Sequence, residues 1–128
     1  MDRATYDRMR VLQEGHWWFK GRRAILSGLI EDLQLPKDAR ILEAGCGPGG
    51  NLGMLSAFGQ VTGMEPDEAS RAYASEHAGV AVEGGALPGP LPFPPASFDL
   101  VCAFDVIEHV DPTLTLRGLW LIHCRNQA

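Results

Sequence analysis

Apolar positions recur along this chain in two rhythms, and the change between them falls near residue 38. Before it the spacing is helical. Tyr6, Met9 and Val11 or Leu12 form a stripe that predicts a helix over residues 2–14, with Asp2 as its cap and Gly15 as an interruption. Ile25, Leu26, Leu29, Ile30 and Leu33 recur every 3.6 residues and predict a second helix from Lys20 to Leu35, ended by Pro36. Between the two lies an aromatic cluster, His16-Trp17-Trp18-Phe19. Beyond residue 38, short apolar runs alternate with helical stretches. The pattern predicts strand Ala39–Ala44, helix Gly49–Phe58, strand Gln60–Met64, helix Pro66–His77 and a short strand Val80–Val82. Gly84–Ala96 holds Pro88, Pro90, Pro92, Pro94 and Pro95 and is a loop, since proline suits neither a helix interior nor a ladder. Phe98–Phe104 is nearly all apolar, as a strand covered on both faces of a parallel sheet would be. Pro112 then opens a last predicted helix through Leu114, Leu116, Leu119 and Ile122. Strand and helix alternate, so the expected class is α/β with right-handed crossovers.

Composition narrows this little. The 128 residues suit one domain, organised as an N-terminal helical segment (1–38) and an α/β domain (39–128). No apolar run reaches the ~20 residues of a membrane span, and the N-terminus lacks the apolar core of a signal peptide. Cys46, Cys102 and Cys124 are odd in number and contain no Cys-x-x-Cys pair, which favours free thiols in a reducing compartment and the cytoplasm by default. The net charge of −5 is uneven. Residues 1–40 carry eight Lys/Arg against six Asp/Glu, whereas residues 41–128 carry three against ten. An acidic body does not suit tracking of nucleic-acid phosphates. Lys20, Arg22 and Arg23 lie close together, and either present a solvated helix face or meet a carboxylate or other anion.

The chemistry concentrates in Ile41-Leu42-Glu43-Ala44-Gly45-Cys46-Gly47-Pro48-Gly49-Gly50, an apolar strand, an acid at its end, and a glycine turn opening into a helix. Glycine at 45, 47 and 49 lets backbone lie close against something else. In an α/β sheet such a turn sits where nucleotide-like ligands bind. Gly45-x-Gly47-x-x-Gly50 also fits a dinucleotide fingerprint, but that would bring a pyrophosphate near Glu43. An acid there is better placed for an ammonium. Glu65 ends the next predicted strand and is placed to accept from ribose hydroxyls; its alternative role is to cap the following helix.

These residues resemble a known family. Ile41–Gly50 resembles the first motif of the class I S-adenosylmethionine-dependent methyltransferases, and Gly63-Met64-Glu65-Pro66 their second. Leu91-Pro92-Phe93 with Ser97-Phe98-Asp99-Leu100-Val101 is similar to the segment entering their fourth strand, and Asp105-Val106-Ile107-Glu108-His109-Val110 to the signature after it. His16-Trp17-Trp18-Phe19 with Arg22-Arg23 resembles the N-terminal entry of a small-molecule branch. The resemblance implies a Rossmann-like three-layer α/β/α fold, a partial sheet of order 3-2-1-4 here, and S-adenosylmethionine as cofactor. Gly45, Cys46, Gly47 and Gly49 would then surround its methionine part, Glu43 its amino group and Glu65 its ribose. Met64 or Pro66 would flank the adenine, with Ala86 and Leu87 in the loop beside it. Phe104 and Asp105 would line the sulfonium end. His109 is the candidate base, needed only for a nucleophile that arrives protonated. Trp17, Trp18 and Arg22 are candidates for lid or acceptor contacts. The resemblance gives Cys46 no nucleophilic role, and no metal site is expected.

The family's sheet has seven strands, and four are predicted here. Strand Phe98–Phe104 would thus be an apolar edge, open to pairing with a second copy in a homodimer. The expected function is methyl transfer to a small molecule. The alternatives are a non-catalytic S-adenosylmethionine-binding or partner module, in effect a truncated methyltransferase, and more distantly a nicotinamide-dependent oxidoreductase.

Overall fold

The computed structural model describes residues 2–104, 106, 110 and 119–123, with residue 6 and the last five as backbone. Helix α1 spans Arg3–Gly15 and opens on Asp2, whose Oδ1 accepts from the Thr5 N–H at 2.8 Å. Helix α2 spans Trp17–Asp32. His16 serves both helices: its N–H closes α1 on the Leu12 carbonyl at 3.0 Å, and its Nδ1 accepts from the Trp18 N–H at 3.3 Å. The aromatic cluster is therefore the first turn of α2 and not a linker before Lys20, because the chain turns at one extended residue. Of the predicted α2 stripe, Leu26 and Ile30 are buried, whereas Ile25 and Leu29 are exposed.

Strands β1 (Arg40–Ala44), β2 (Gln60–Met64), β3 (Ala81–Glu83) and β4 (Leu100–Phe104) are parallel, in the order 3-2-1-4. Helix α3 (Leu52–Ser56) links β1 to β2, and α4 (Glu68–Ala78) links β2 to β3. Alternation along the strands sorts the core into two faces. Ile41, Leu100, Cys102 and Phe104 pack with Leu26 and Ile30 of α2 and Leu55 of α3. Leu42, Ala44 and Met64 point the other way, against Leu87 and Phe93 of the proline-rich loop, Phe98 just after it, and Val101. Glu43 lies two residues from Ile41 and so shares the α2 face.

Leu119–His123 forms a fifth strand, β5, antiparallel to β4 from Leu100↔His123 to Phe104↔Leu119. This corrects the expected helix through Leu119 and Ile122. A four-residue apolar run fits a buried strand as well as a helix face, so periodicity cannot separate them, and pairing with β4 decides. It also corrects the expectation of an exposed β4 edge, since its outer backbone groups are taken up within the chain. The homodimer through that edge loses its basis. The start of the predicted helix at Pro112 lies outside the described residues.

Candidate functional site

The glycine turn is pinned to the end of β2. The N–H groups of Gly45 and Cys46 both donate to the Met64 carbonyl, at 2.7 and 3.0 Å. Gly45, Gly47 and Gly49 have φ of 72°, 55° and 89°, a region that disfavours any side chain. Their surroundings differ. A Cβ on Gly45 would strike the Val106 side chain, and one on Gly49 would lie 2.9 Å from Cβ of Ala74 in α4. One on Gly47 would meet no protein atom within 4 Å. Gly49 is thus small because α4 is close, while Gly47 faces open space.

That space is a cavity of about 440 Å³. Its floor is Glu43, the turn from Gly45 to Gly47, and Gly50 with Asn51. Glu65 and Pro66 form one side, Ala86 and Leu87 of the loop another, and Phe104, Val106 and Val110 the end beyond β4. The remaining wall comes from the helices, through Met9 and Gln13 of α1 and Phe19, Arg22 and Arg23 of α2.

Two buried carboxylates meet here. Glu65, 3% exposed, accepts from the Gly47 N–H at 2.8 Å through Oε2 and from the Asp67 N–H at 3.1 Å through Oε1. It brings the turn and the end of β2 together. The cap of α4 is instead Asp67, whose Oδ2 accepts from the Ser70 N–H at 2.8 Å. Glu43, 2% exposed, receives one long hydrogen bond, from Asn51 Nδ2 to Oε1 at 3.4 Å. Its Oε2 has no hydrogen-bond partner among the described residues. Burial raises the Glu43 pKa from its ordinary 4.5 to about 8; Asn51 and Arg22 oppose the rise, and Glu65 adds to it. Burial likewise pushes the Cys46 thiol up, so it does not act as a thiolate near neutrality.

Glu43, Gly45, Cys46, Gly47, Glu65, Pro66, Ala86, Leu87, Phe104 and Arg22 therefore share one cavity. Met64 does not line it but is fully buried beneath Leu87 and Phe93. Gly49 is packed away from it, and Trp17 (75% exposed) and Trp18 (46%) stand outside it. Asp105 and His109 lie outside the described residues. Sequence reasoning offered Arg23, with Arg22, to meet a carboxylate, and gave no site role to Phe19, Asn51 and the α1 pair Met9 and Gln13.

Fold and site together define an α/β domain with an acid-lined ligand cavity at the carboxyl ends of its parallel strands. Residues 42–120 match the family described as "Methyltransferase domain", and the chain belongs to that family. A Mycolicibacterium smegmatis protein named "Probable S-adenosylmethionine-dependent methyltransferase" is 33% identical over 101 residues, covering 77% of this chain and 38% of the relative. The chain thus spans well under half of that relative's length. A SAM-bound amino pentose methyltransferase from Micromonospora echinaspora superposes with a TM-score of 0.57 at 25% identity, over 77% of this chain and 41% of that one. The magnesium protoporphyrin IX methyltransferase of Synechocystis PCC 6803, with bound SAM, shares the fold, with a TM-score of 0.61 at 20% identity, over 84% of this chain and 59% of that one. S-adenosylmethionine is the cofactor of this class. The cavity suits it: an orphaned buried carboxylate oxygen matches an ammonium, a second buried acid has further lone pairs for hydroxyls, and bare backbone at Gly47 admits close approach.

Proposed function

We propose that this chain binds S-adenosylmethionine in the cavity between its helical segment (1–38) and its α/β domain (39–128) and takes part in methylating a small-molecule acceptor. The observation that carries this reading is the unpartnered, fully buried Oε2 of Glu43 beside the glycine turn. A buried polar atom left unmade is costly, and a ligand's ammonium would satisfy it. Glu65 would hold the ribose, and Pro66, Ala86 and Leu87 would flank the adenine. Phe104 would lie towards the methyl-bearing end, and Asp105 and His109 follow it in sequence. When bound, the cofactor supplies a methyl group activated on a sulfonium. The chain's own contribution is orientation and a dry site: Phe19, Phe104 and Val106 are apolar walls, and the turn is rigidly pinned to β2. The acidic body suits a small molecule over a nucleic acid, and the cysteine usage suits the cytoplasm. Among the described residues, no helix is long and apolar enough to cross a membrane.

Titration calorimetry with S-adenosylhomocysteine tests binding, with Glu43→Ala as the weakened control. Release of S-adenosylhomocysteine across a panel of small acceptors tests turnover. Binding of NADH with no response to S-adenosylhomocysteine would overturn the reading in favour of a nicotinamide site.

A further inference from the structure

We propose that the outer flank of α2 is the contact between two copies of this chain, which pair antiparallel about a two-fold axis beside Ile25. The pairing does not depend on what fills the cavity.

Helix α2 has one side already committed. Leu26 and Ile30 seat it on the sheet, and Arg23, Ala24 and Ser27 border a groove whose other bank is Gly53 and Met54 of α3. On the flank away from α3, Trp18 (46% exposed), Ile25 (68%) and Leu29 (44%) face solvent. Trp18, Gly21, Ile25, Gly28 and Asp32 follow one another at spacings of three, four, three and four residues, the seam by which one helix meets another. No charge stands on that seam before Asp32. An uncharged apolar strip about three turns long, on a helix seated by its other side, marks an interaction surface. The two glycines agree. Glycine weakens a helix interior, and neither position needs it within this chain: neither has a positive φ, and a Cβ on either would meet no atom within 4 Å. Bare backbone at both lets a second helix approach closely.

The charges identify that second helix as α2 itself, reversed. Helix α2 has no acid in its first turn and no base in its last, and it closes on Glu31 and Asp32. Its positive N-terminal end is thus unanswered, and two acids sit at its negative end. Antiparallel packing centred on Ile25 corrects both, since Trp18 and Asp32 each lie seven residues from it. The Asp32 carboxylate of one copy then meets the N-terminal turn and the Trp18 indole N–H of the other. Leu29 falls opposite Gly21, so the bulk of one helix fills the hollow of the other, and Ile25 meets itself. A lipid surface fits worse. Glu31 and Asp32 close the strip, and the chain carries −5 overall, which anionic lipid repels. Because Phe19, Arg22 and Arg23 of the same helix line the cavity, the contact also braces one wall of each copy's site.

Sedimentation velocity under reducing conditions tests this. Wild type should pass from 13.9 kDa to twice that mass as its concentration rises through about 1–100 µM, the range of a small interface. Ile25→Glu sets two carboxylates against each other and should weaken association about a hundredfold or more, while circular dichroism shows an unchanged fold because residue 25 is exposed. Gly21→Leu should separate the two effects of that glycine: the dilute protein melts higher and the dimer is lost. Asp32→Lys should weaken the dimer about five- to tenfold. Under oxidation, Trp18→Cys mixed with Asp32→Cys should cross-link above the wild-type background, and neither should do so alone. A wild type that stays monomeric at about 200 µM, or that binds anionic vesicles in place of itself, overturns the proposal. So does a dimer that survives both Ile25→Glu and Gly21→Leu, or a Trp18→Cys protein that cross-links to itself.

Discussion

Replacing Glu43 by glutamine should abolish a pH dependence of stability built into the site. A folded-state pKa of about 8 against an ordinary 4.5 means that the native chain holds this proton more tightly than the unfolded one. The stabilisation from that proton is complete below about pH 4.5 and is lost as pH rises through about 8. Between these limits wild-type stability falls by up to about 1.4 kcal/mol per pH unit. The full shift corresponds to roughly 5 kcal/mol, so the loss from pH 5.5 to 8.5 should be about 3–4 kcal/mol. The other groups with a resolved shift among the described residues lie outside that window. Asp2 and Asp67 are lowered by hydrogen bonds from Thr5 and Ser70 and act below pH 4, while the thiols of Cys46 and Cys102 are raised by burial and act above pH 9. Glutamine keeps the shape and cannot ionise, so the E43Q protein should stay nearly flat. Urea unfolding followed by far-ultraviolet circular dichroism under reducing conditions, at half-unit pH steps, measures both curves. Parallel slopes for the two proteins would refute the argument that Glu43 is neutral in the empty site.

Other outcomes follow from the same geometry. At pH 7 an ammonium-bearing ligand should displace about 0.9 proton from Glu43, given its pKa of about 8; calorimetry of S-adenosylhomocysteine in phosphate and Tris buffers reads this directly, and zero release would contradict it. Gly47→Ala should cost about 1–2 kcal/mol of stability for its φ of 55°, and should also weaken S-adenosylhomocysteine by projecting a methyl group into the cavity. Gly49→Ala should cost more in denaturation, about 2–4 kcal/mol, because it adds a clash with Ala74 to the strain. Ser70→Ala should be neutral or stabilise by about 0.5–1 kcal/mol in thermal unfolding, since the buried Ser70 hydroxyl has no partner among the described residues and alanine suits a helix better.

The parallel core and its acids were legible because their signals are local. Glu43, Gly45 and Gly47 stand in one decapeptide, and the alternation of short apolar runs gave β1, β2 and β4 within two residues. What sequence could not supply was direction. Met64 and Glu65 are neighbours, yet the pleat sends Met64 into the core and leaves Glu65 at the cavity. Gly47 and Gly49 look alike until one asks which faces α4. Of the α1–α2 wall Arg22 was anticipated, whereas Met9, Gln13 and Phe19 were missed because they reach the site only through helix packing, which no local spacing encodes. Leu119–His123 was misread because its partner, β4, lies some fifteen residues upstream of it in the chain and outside any local window.

The link from Arg23 to the carbonyls of Gln13 and Gly50 has a consequence for how this protein can be altered. The segment that matches the family begins at residue 42, so Met9, Gln13, Phe19 and Arg22 furnish a wall from outside it. That wall is seated on the sheet by Leu26 and Ile30 and paired to the cap of α4 by Arg3 and Asp67, and Arg23 is the side chain that ties it to the glycine turn. Grafting another helical pair onto residues 39–128 should retain the adenosine half of the cavity only if the graft also brings a donor for Gly50, which makes Arg23 the residue to keep when the selectivity of the domain is redesigned.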